Sequence, residues 1–434
     1  MSHTSFLRII VATSFSLLAS LPAFSDSQVR IVRLSYLEGT VQIARDSAQG
    51  FDKALVNLPV AQGAKLRCAD GGRAEVEFED GTTIHLTPNS TLEFPELSLR
   101  DSGNKVSALE VKVGTIYLDY AGEKNDEFTI RFSREKLVLA HAAHFRIVVS
   151  DSDATVAVFK GEVQIEGPSG TVNVGKGRTA SFDLLNNDRQ SLAGGIDEKP
   201  YDAWDRQQDQ YHQRYASKSS GNSSPYAYGG SDLNYYGNFF NAPGYGMMWQ
   251  PYFAGPGWDP FMDGAWAFNP GWGFGWVSAY PWGWTPYHYG TWVFLPGYGW
   301  AWQPGGVWTT WYSQPRVLNA PKNFSLPQAP VRGTSTVVVK RGFEFANSSK
   351  TRLVIRNNTA GLGIPRGEIS DLARVSQRVQ AQGVVTERVH PAPMTPTPVW
   401  GARGGSSSRA SAPISPPPPV FHSAPPPAPG GRPR

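Results

Sequence analysis

The sequence predicts a mainly β protein, and three observations carry that prediction. Charged residues make up 18% of the chain while 45 glycines and 35 prolines punctuate it, a balance that disfavours helical bundles. Short runs of alternating apolar and polar residues, bounded by Gly, Asp and Asn, fill residues 28–190. A glycine- and tryptophan-rich unit then recurs three times, at intervals of 27 and 26 residues. The 434 residues suffice for two or three domains, and a formal net charge of +4 is too mild and dispersed to point to nucleic acid.

Residues 1–25 read as a secretory signal peptide. Arg8 supplies the leading charge, an apolar run extends from Ile9 to Leu21, Pro22 breaks it, and Ala23-Phe24-Ser25 offers small residues before a cleavage point at Asp26. That run is shorter than the roughly 20 residues a membrane helix needs. No later stretch is long and apolar enough, so the expectation is an exported mature chain, periplasmic or at the cell surface, with no transmembrane segment. Cys68 is the single cysteine, which excludes an internal disulfide and a lipoprotein anchor. It reads as a small residue ending a strand; an intermolecular disulfide or a reactive thiol is the alternative, and self-association stays open.

The stretch "RAEVEFEDGTTIHL" shows how parity selects a turn. Ala74, Val76 and Phe78 share one face, and Glu75, Glu77 and Glu79 the other. A two-residue turn would put the apolar sets of the two strands on opposite faces. A three-residue loop, Glu79-Asp80-Gly81, pairs Phe78 with Thr82 and Val76 with Ile84, and places Gly81 at the left-handed position of a bulge. The three glutamates then fall on the solvated side of the hairpin. His141 and His144 form an H-x-x-H whose strand spacing points the rings to opposite faces, which argues against a shared metal.

With these motifs in view, "LPVAQGAKLRCADGGRAEVEFEDGTTIHLTPNSTLEF" resembles the periplasmic FecR-type domain. The resemblance rests on Gly63, on Asp80-Gly81, on Pro88-Asn89-Ser90-Thr91-Leu92, and on the strand-like runs that follow, through "ATVAVFKGEVQIEG". It departs at Ala143-His144, where the family usually has Gly-Thr before the phenylalanine that is Phe145 here. Regulators of that family place a cytoplasmic helical region and a membrane helix before the domain. Here the signal leads directly into it, so no direct hand on a sigma factor is expected. The resemblance implies a β-rich module (residues 28–190) that binds other proteins in the periplasm.

Residues 197–218 change period. Tyr201, Trp204, Gln208, Tyr211 and Tyr215 fall at helical spacing, with Pro200 suited to the first turn and Gly221 beyond the end. The aromatic stripe packs on a neighbouring domain or serves as a partner surface. Residues 219–231 read as a flexible linker.

Residues 232–312 hold most of the tryptophan: 12 of the 14 lie between Trp249 and Trp311. The copies begin at Gly237, Gly264 and Gly290. Each has an aromatic residue two positions on, then Pro-Gly-aromatic-Gly, then a tryptophan. In the third, Trp292 and Phe294 alternate on a first strand, Pro296 and Gly297 fit a type II turn, and Trp300 and Trp302 alternate on the return. A hairpin of this size cannot bury its own apolar face, so copies must cover one another. Two readings follow: the rings are core, or some are also held out as a platform on which sugar rings stack. The candidate stacking residues are Trp258, Trp266, Trp282, Trp284, Tyr287, Trp292, Trp300 and Trp302. His288 reads as a hydrogen-bonding loop residue. The region resembles bacterial Tyr/Trp/Gly-repeat domains of unknown function that follow FecR-type domains. More loosely it is similar to choline- and glucan-binding cell-wall repeats, but its five-residue gap in "GWDPFMDGAW" departs from their four.

Residues 313–390 form a weakly marked mixed region. "STVVVKRGFEF" and "TRLVIRN" look like strands, and "GEISDLARVSQRVQAQG" like an amphipathic helix carrying Ile369, Leu372, Val375 and Val379 on one side and stopped by Gly383. Residues 391–434 contain 14 prolines and read as a disordered, polyproline-rich tail. No nucleophile–base set, zinc spacing or phosphate loop is visible, so no catalytic residue, metal or cofactor is assigned. The expectation is a non-enzymatic envelope protein whose aromatic module engages an envelope glycan or an envelope protein. The alternative is a periplasmic signalling or scaffold protein whose aromatic repeats are only core.

Overall fold

The computed structural model describes residues 30, 32–45, 50–216, 228–255, 257–269, 273–305, 316–333, 335–340, 353–356 and 363–388, which all fall in one compact unit. The residues read from sequence as a signal peptide, as a proline-rich tail and, up to residue 227, as a flexible linker lie outside the described residues; residues 228–231, also read as linker, instead lead into a helix with Tyr228 and Ser231 buried.

The hairpin at 73–86 forms as parity requires. Strands Arg73–Phe78 and Thr83–Leu86 pair Val76 with Ile84 and Ala74 with Leu86. The Phe78 amide donates to the Thr82 carbonyl at 2.9 Å, and Gly81 takes φ +86°. Ala74, Val76, Phe78, Ile84 and Leu86 are all buried. Around this hairpin, sixteen strands between Val32 and Gly194 join into one hydrogen-bonded network. Its spine is the long strand Lys105–Tyr120. The first half pairs with Ser90–Leu99 and, in parallel, with Glu127–Phe132; the second half pairs with Thr83–Leu86 and Ala143–Val149. Gly114 stands at the changeover with φ +98°, where a Cβ would lie 2.3 Å from the Ser90 hydroxyl, so only glycine fits. Both wings contribute to a single apolar cluster that includes Leu34, Val76, Phe94, Ile130, Ile147 and Ile165. Strands Gly170–Gly175 and Arg189–Gly194 lie at the two ends of the principal strand order.

Among the described residues four helices follow: α1 (Asp202–Ala216), α2 (Gly230–Tyr236), α3 (Thr285–His288) and α4 (Leu372–Gln382). The α1 stripe of Trp204, Gln208, Tyr211 and Tyr215 is buried, so it packs inward as one of its two readings held. Helix α4 begins where the Asp371 carboxylate accepts from the Arg374 amide at 3.0 Å. It ends at Gly383, φ +79°, with Leu372, Val375 and Val379 buried.

All three repeats are hairpins: Gly237–Ala242 with Gly246–Pro251, Asp263–Asn269 with Gly273–Ser278, and Thr291–Leu295 with Gly299–Gln303. In the third, the Tyr298 amide donates to the Leu295 carbonyl at 3.1 Å with Gly297 at φ +80°, the type II turn expected. The first and third hairpins join one five-stranded sheet through Trp249 and Trp302; the second pairs instead with Val337–Lys340. The repeat spacing has a steric basis. Each leading glycine lies beneath the tryptophan twelve residues later. A Cβ would stand 2.4 Å from the Trp249 ring at Gly237, 2.4 Å from the Trp276 ring at Gly264, and 2.6 Å from the Trp302 Nε1 at Gly290. The second hairpin divides its faces. Ala267 and Val277 join the core of the β body, and Trp266 and Trp276 join the aromatic one.

Candidate functional site

The eight proposed stacking residues do not stand at a surface. Trp258, Trp266, Trp282, Trp284, Tyr287, Trp292, Trp300 and Trp302 are each at most 5% exposed. Trp282 stacks on Tyr280 at 4.9 Å, and Trp292 meets Trp258 at 5.9 Å, Tyr287 at 5.7 Å and Trp249 at 6.5 Å, mostly tilted or edge-on. Such edge-to-face packing is how large rings fill a small core. A ring in that position has no free face for a sugar, so the expectation of stacking on these eight residues gives way to the core reading. His288 lies on α3, not in a loop, with its ring 4.2 Å from that of Trp284; burial, and then Arg33, lower it to about 3, so it is neutral.

The chemistry gathers elsewhere, on the polar face of the 73–86 hairpin. Alternation does place Glu75 and Glu77 opposite the apolar core, but that face is not solvated. Glu75 is 0% exposed and Glu77 6%, because α1, α2 and the segment before α4 cover them. Ser35 donates to Glu75 at 2.6 Å, Arg366 Nη1 donates to it at 2.7 Å, and His212 Nε2 lies 3.0 Å away. Burial alone would raise the Glu75 carboxyl. Arg366, His212 and His85 outweigh it and hold the group well below the usual carboxylate range. Arg33 donates to Glu77 at 2.6 Å, to Asn57 at 2.7 Å and to Asp232 at 2.9 Å. Asp232, on α2, also accepts from Arg366 Nη2 at 3.0 Å and from the Tyr211 hydroxyl at 2.8 Å. Asn57 in turn donates to the carbonyls of Ser278 (3.0 Å) and Tyr280 (2.7 Å), reaching the second aromatic hairpin. Two guanidiniums and three carboxylates thus link the β body, α2 and the aromatic core.

A second cluster adjoins the first along α1. Asp202, Asp205 and Asp209 sit at i, i+3 and i+7, hence on one helical face. Asp202 accepts from Arg146 Nη1 (2.7 Å to Oδ2) and from the Tyr117 hydroxyl (2.8 Å). Asp205 lies 2.7 Å from His85 Nδ1 and 2.8 Å from His144 Nε2, while His85 Nε2 is 3.2 Å from Glu75. Burial opposes charge on His85, but its hydrogen bonds to Asp205 and Glu75 outweigh that and push it up to about 10. Asp209 lies 3.3 Å from His144 Nδ1; burial and the Asp205 charge raise its carboxyl to about 6. A cleft of about 260 Å³, lined by His144, Phe159, Asp202, Asp205, Asp209 and Gln213 among others, opens beside it. His85, Asp205 and Asp209 offer one nitrogen and two oxygens within 4.8 Å of one another. His141 is exposed and takes no part, so the H-x-x-H pair shares nothing.

Neither cluster was assigned from sequence. The available signal was the three aspartates on the aromatic helix, which match the charge of His85, His144 and Arg146 on three different strand positions. Cys68 ends its strand fully buried, and burial pushes its thiol up to about 12.

Comparison with known proteins agrees with this two-part organisation. No curated protein matches the chain. Two crystal structures of a Parabacteroides distasonis ATCC 8503 protein classed provisionally as an anti-sigma factor, at 1.65 and 2.50 Å resolution, are 18% and 16% identical, each with a TM-score of 0.28. The match covers 32% of this chain and spans 63% of theirs, less than two thirds. Among the described residues no helix is long and apolar enough to cross a membrane. Residues 64–164 match the FecR protein family and residues 230–321 the Family of unknown function (DUF6600), so the chain carries a FecR-type domain followed by a DUF6600 domain.

Proposed function

We propose that this chain is a non-enzymatic envelope protein of the periplasmic signalling or scaffold kind. Its FecR-type domain recognises another envelope protein, and its aromatic repeats act as a rigid core docked against that domain. The FecR match supports a regulatory role in the periplasm or envelope. One observation carries the choice between the two readings made from sequence: all eight candidate rings are spent on packing. Recognition then falls to the β body. Strands Gly170–Gly175 and Arg189–Gly194 each pair on one side only, are largely exposed, and leave backbone donors and acceptors for an added strand.

A photo-crosslinking residue at Thr171 or Ser191, introduced in cells, tests this. A discrete adduct with one envelope protein is expected. Absence of any adduct at both edges, with retention of the purified chain on envelope polysaccharide, would return the glycan reading.

A further inference from the structure

We propose that His85, Asp205 and Asp209 form a binding site for a zinc-type divalent metal ion, whose remaining coordination position faces the cleft beside His144. Three independent features of the fold meet here. The donor atoms come from two elements, strand Thr83–Leu86 and helix α1, yet lie within 4.8 Å of one another. A zinc ion bound at 2.0–2.2 Å holds its donors a little over 3 Å apart, so the His85–Asp205 pair, 2.7 Å apart, opens slightly about the ion while the wider separations, at most 4.8 Å, close. Secondly, Asp209 is only 8% exposed, and its Oδ1 has no hydrogen-bond partner. An unpaired carboxylate oxygen at that depth is costly unless something cationic meets it. Its other oxygen touches His144, and the side chain lines the cleft, which gives an ion a way in.

The third feature is the support behind the imidazole. Glu75 Oε2 lies 3.2 Å from His85 Nε2 and fixes the ring with Nδ1 turned toward Asp205. A carboxylate behind a histidine is how zinc ligands are oriented. Glu75 is itself held by Ser35, His212 and Arg366, so the ring has little freedom to turn away. The mixture of imidazole and carboxylate suits zinc, or copper and nickel on affinity grounds; calcium and magnesium prefer all-oxygen shells. Two aspartates balance the dication, which displaces the proton that His85 Nδ1 shares with Asp205. His144, 2.8 Å from Asp205 and 3.3 Å from Asp209, stands where a fourth ligand or a water would bind. Phe159, whose ring lies 5.1 Å from that of His144, walls the cleft with an apolar surface.

Full-length protein dialysed against chelator, then titrated with ZnCl2 by calorimetry and assayed for bound metal, tests the site. One zinc per chain is expected, with CaCl2 and MgCl2 giving no saturable binding. Cobalt(II) in place of zinc supplies a readout independent of stability, because a tetrahedral N/O site shows intense visible absorption. Asp209→Asn keeps the His144 contact and its partnerless oxygen has no bond to lose, so the variant folds; its zinc affinity drops at least about 100-fold, as for loss of a ligand or its support. His85→Gln abolishes the cobalt spectrum, whereas His144→Gln retains the stoichiometry. No zinc bound by the wild-type chain, or zinc bound equally by wild type and Asp209→Asn, would overturn the assignment.

Discussion

Replacing Asp232 by asparagine removes one charge and almost no volume from the centre of the buried network. The aspartate accepts from Arg33 Nη2 at 2.9 Å, from Arg366 Nη2 at 3.0 Å and from the Tyr211 hydroxyl at 2.8 Å, with its side chain 1% exposed. Each guanidinium keeps one other carboxylate, Glu77 for Arg33 and Glu75 for Arg366, so neither is stripped bare. The asparagine Oδ1 still accepts from Arg366 and Tyr211, but the acceptor for Arg33 Nη2 is lost, a charge-assisted bond of order 1.5–3 kcal/mol, and an excess cation is left buried. Breaking one side of a buried ion pair costs about 3–5 kcal/mol. That is a large part of a typical total of roughly 5–15 kcal/mol. Urea unfolding followed by far-UV circular dichroism and by tryptophan emission should show the midpoint falling in both signals together. The exposed pair Lys112–Glu110, 2.6 Å apart, provides the control: Glu110→Gln should cost no more than about 1 kcal/mol. If Asp232→Asn cost as little as that control, the network would not be what couples the two domains.

Other consequences can be measured in the same protein. Gly264→Ala places a methyl 2.4 Å from the Trp276 ring and should cost about 3 kcal/mol in chemical denaturation, whereas Gly175→Ala meets open space and should stay within about 0.5 kcal/mol. Cys68, buried and with its thiol pushed up to about 12, should react with an aromatic disulfide reagent only in denaturant, and non-reducing gels should show monomer; native reactivity would contradict its placement. Burial and the Asp188 carboxylate push Glu135 up to about 7 from an ordinary 4.5. An acid raised in this way supports folding fully below its unfolded value and loses that support as pH climbs through 7. Glu135→Gln should therefore flatten the stability profile between pH 4.5 and 7 and stabilise the protein at pH 8, read as a higher Tm; an unchanged profile would count against the burial of that carboxyl.

Much of the architecture could be read from local pattern. Parity settled the Phe78–Thr82 turn, because a two-residue loop would have exposed Ile84 and Leu86, which are buried. Gly383 marked the end of α4, and the repeats beginning at Gly237, Gly264 and Gly290 predicted three hairpins, which the structure supplies. Local pattern stops at assigning faces; it does not say what covers them. The polar face of Glu75 and His85 looked solvated because its partners lie far along the chain: Asp205 is 120 residues from His85, and Arg366 is 291 from Glu75. The tryptophans posed the same difficulty in reverse. Their number exceeded what one hairpin face needs, and only the meeting of the first and third hairpins, with Trp282 and Tyr287 between, accounts for the surplus.

The central claim is that the FecR-type and DUF6600 domains fold as one body joined by a buried ionic network. Eight of the ten described tryptophans lie in the aromatic core and Trp284 is buried against Tyr228, while most described strands belong to the FecR-type body. Tryptophan emission and far-UV circular dichroism therefore report on different domains. Monitored together through one denaturant titration of the full chain, they should give superimposable transitions with a single midpoint. Two separated transitions, with the tryptophan signal lost while strand signal persists, would contradict the account.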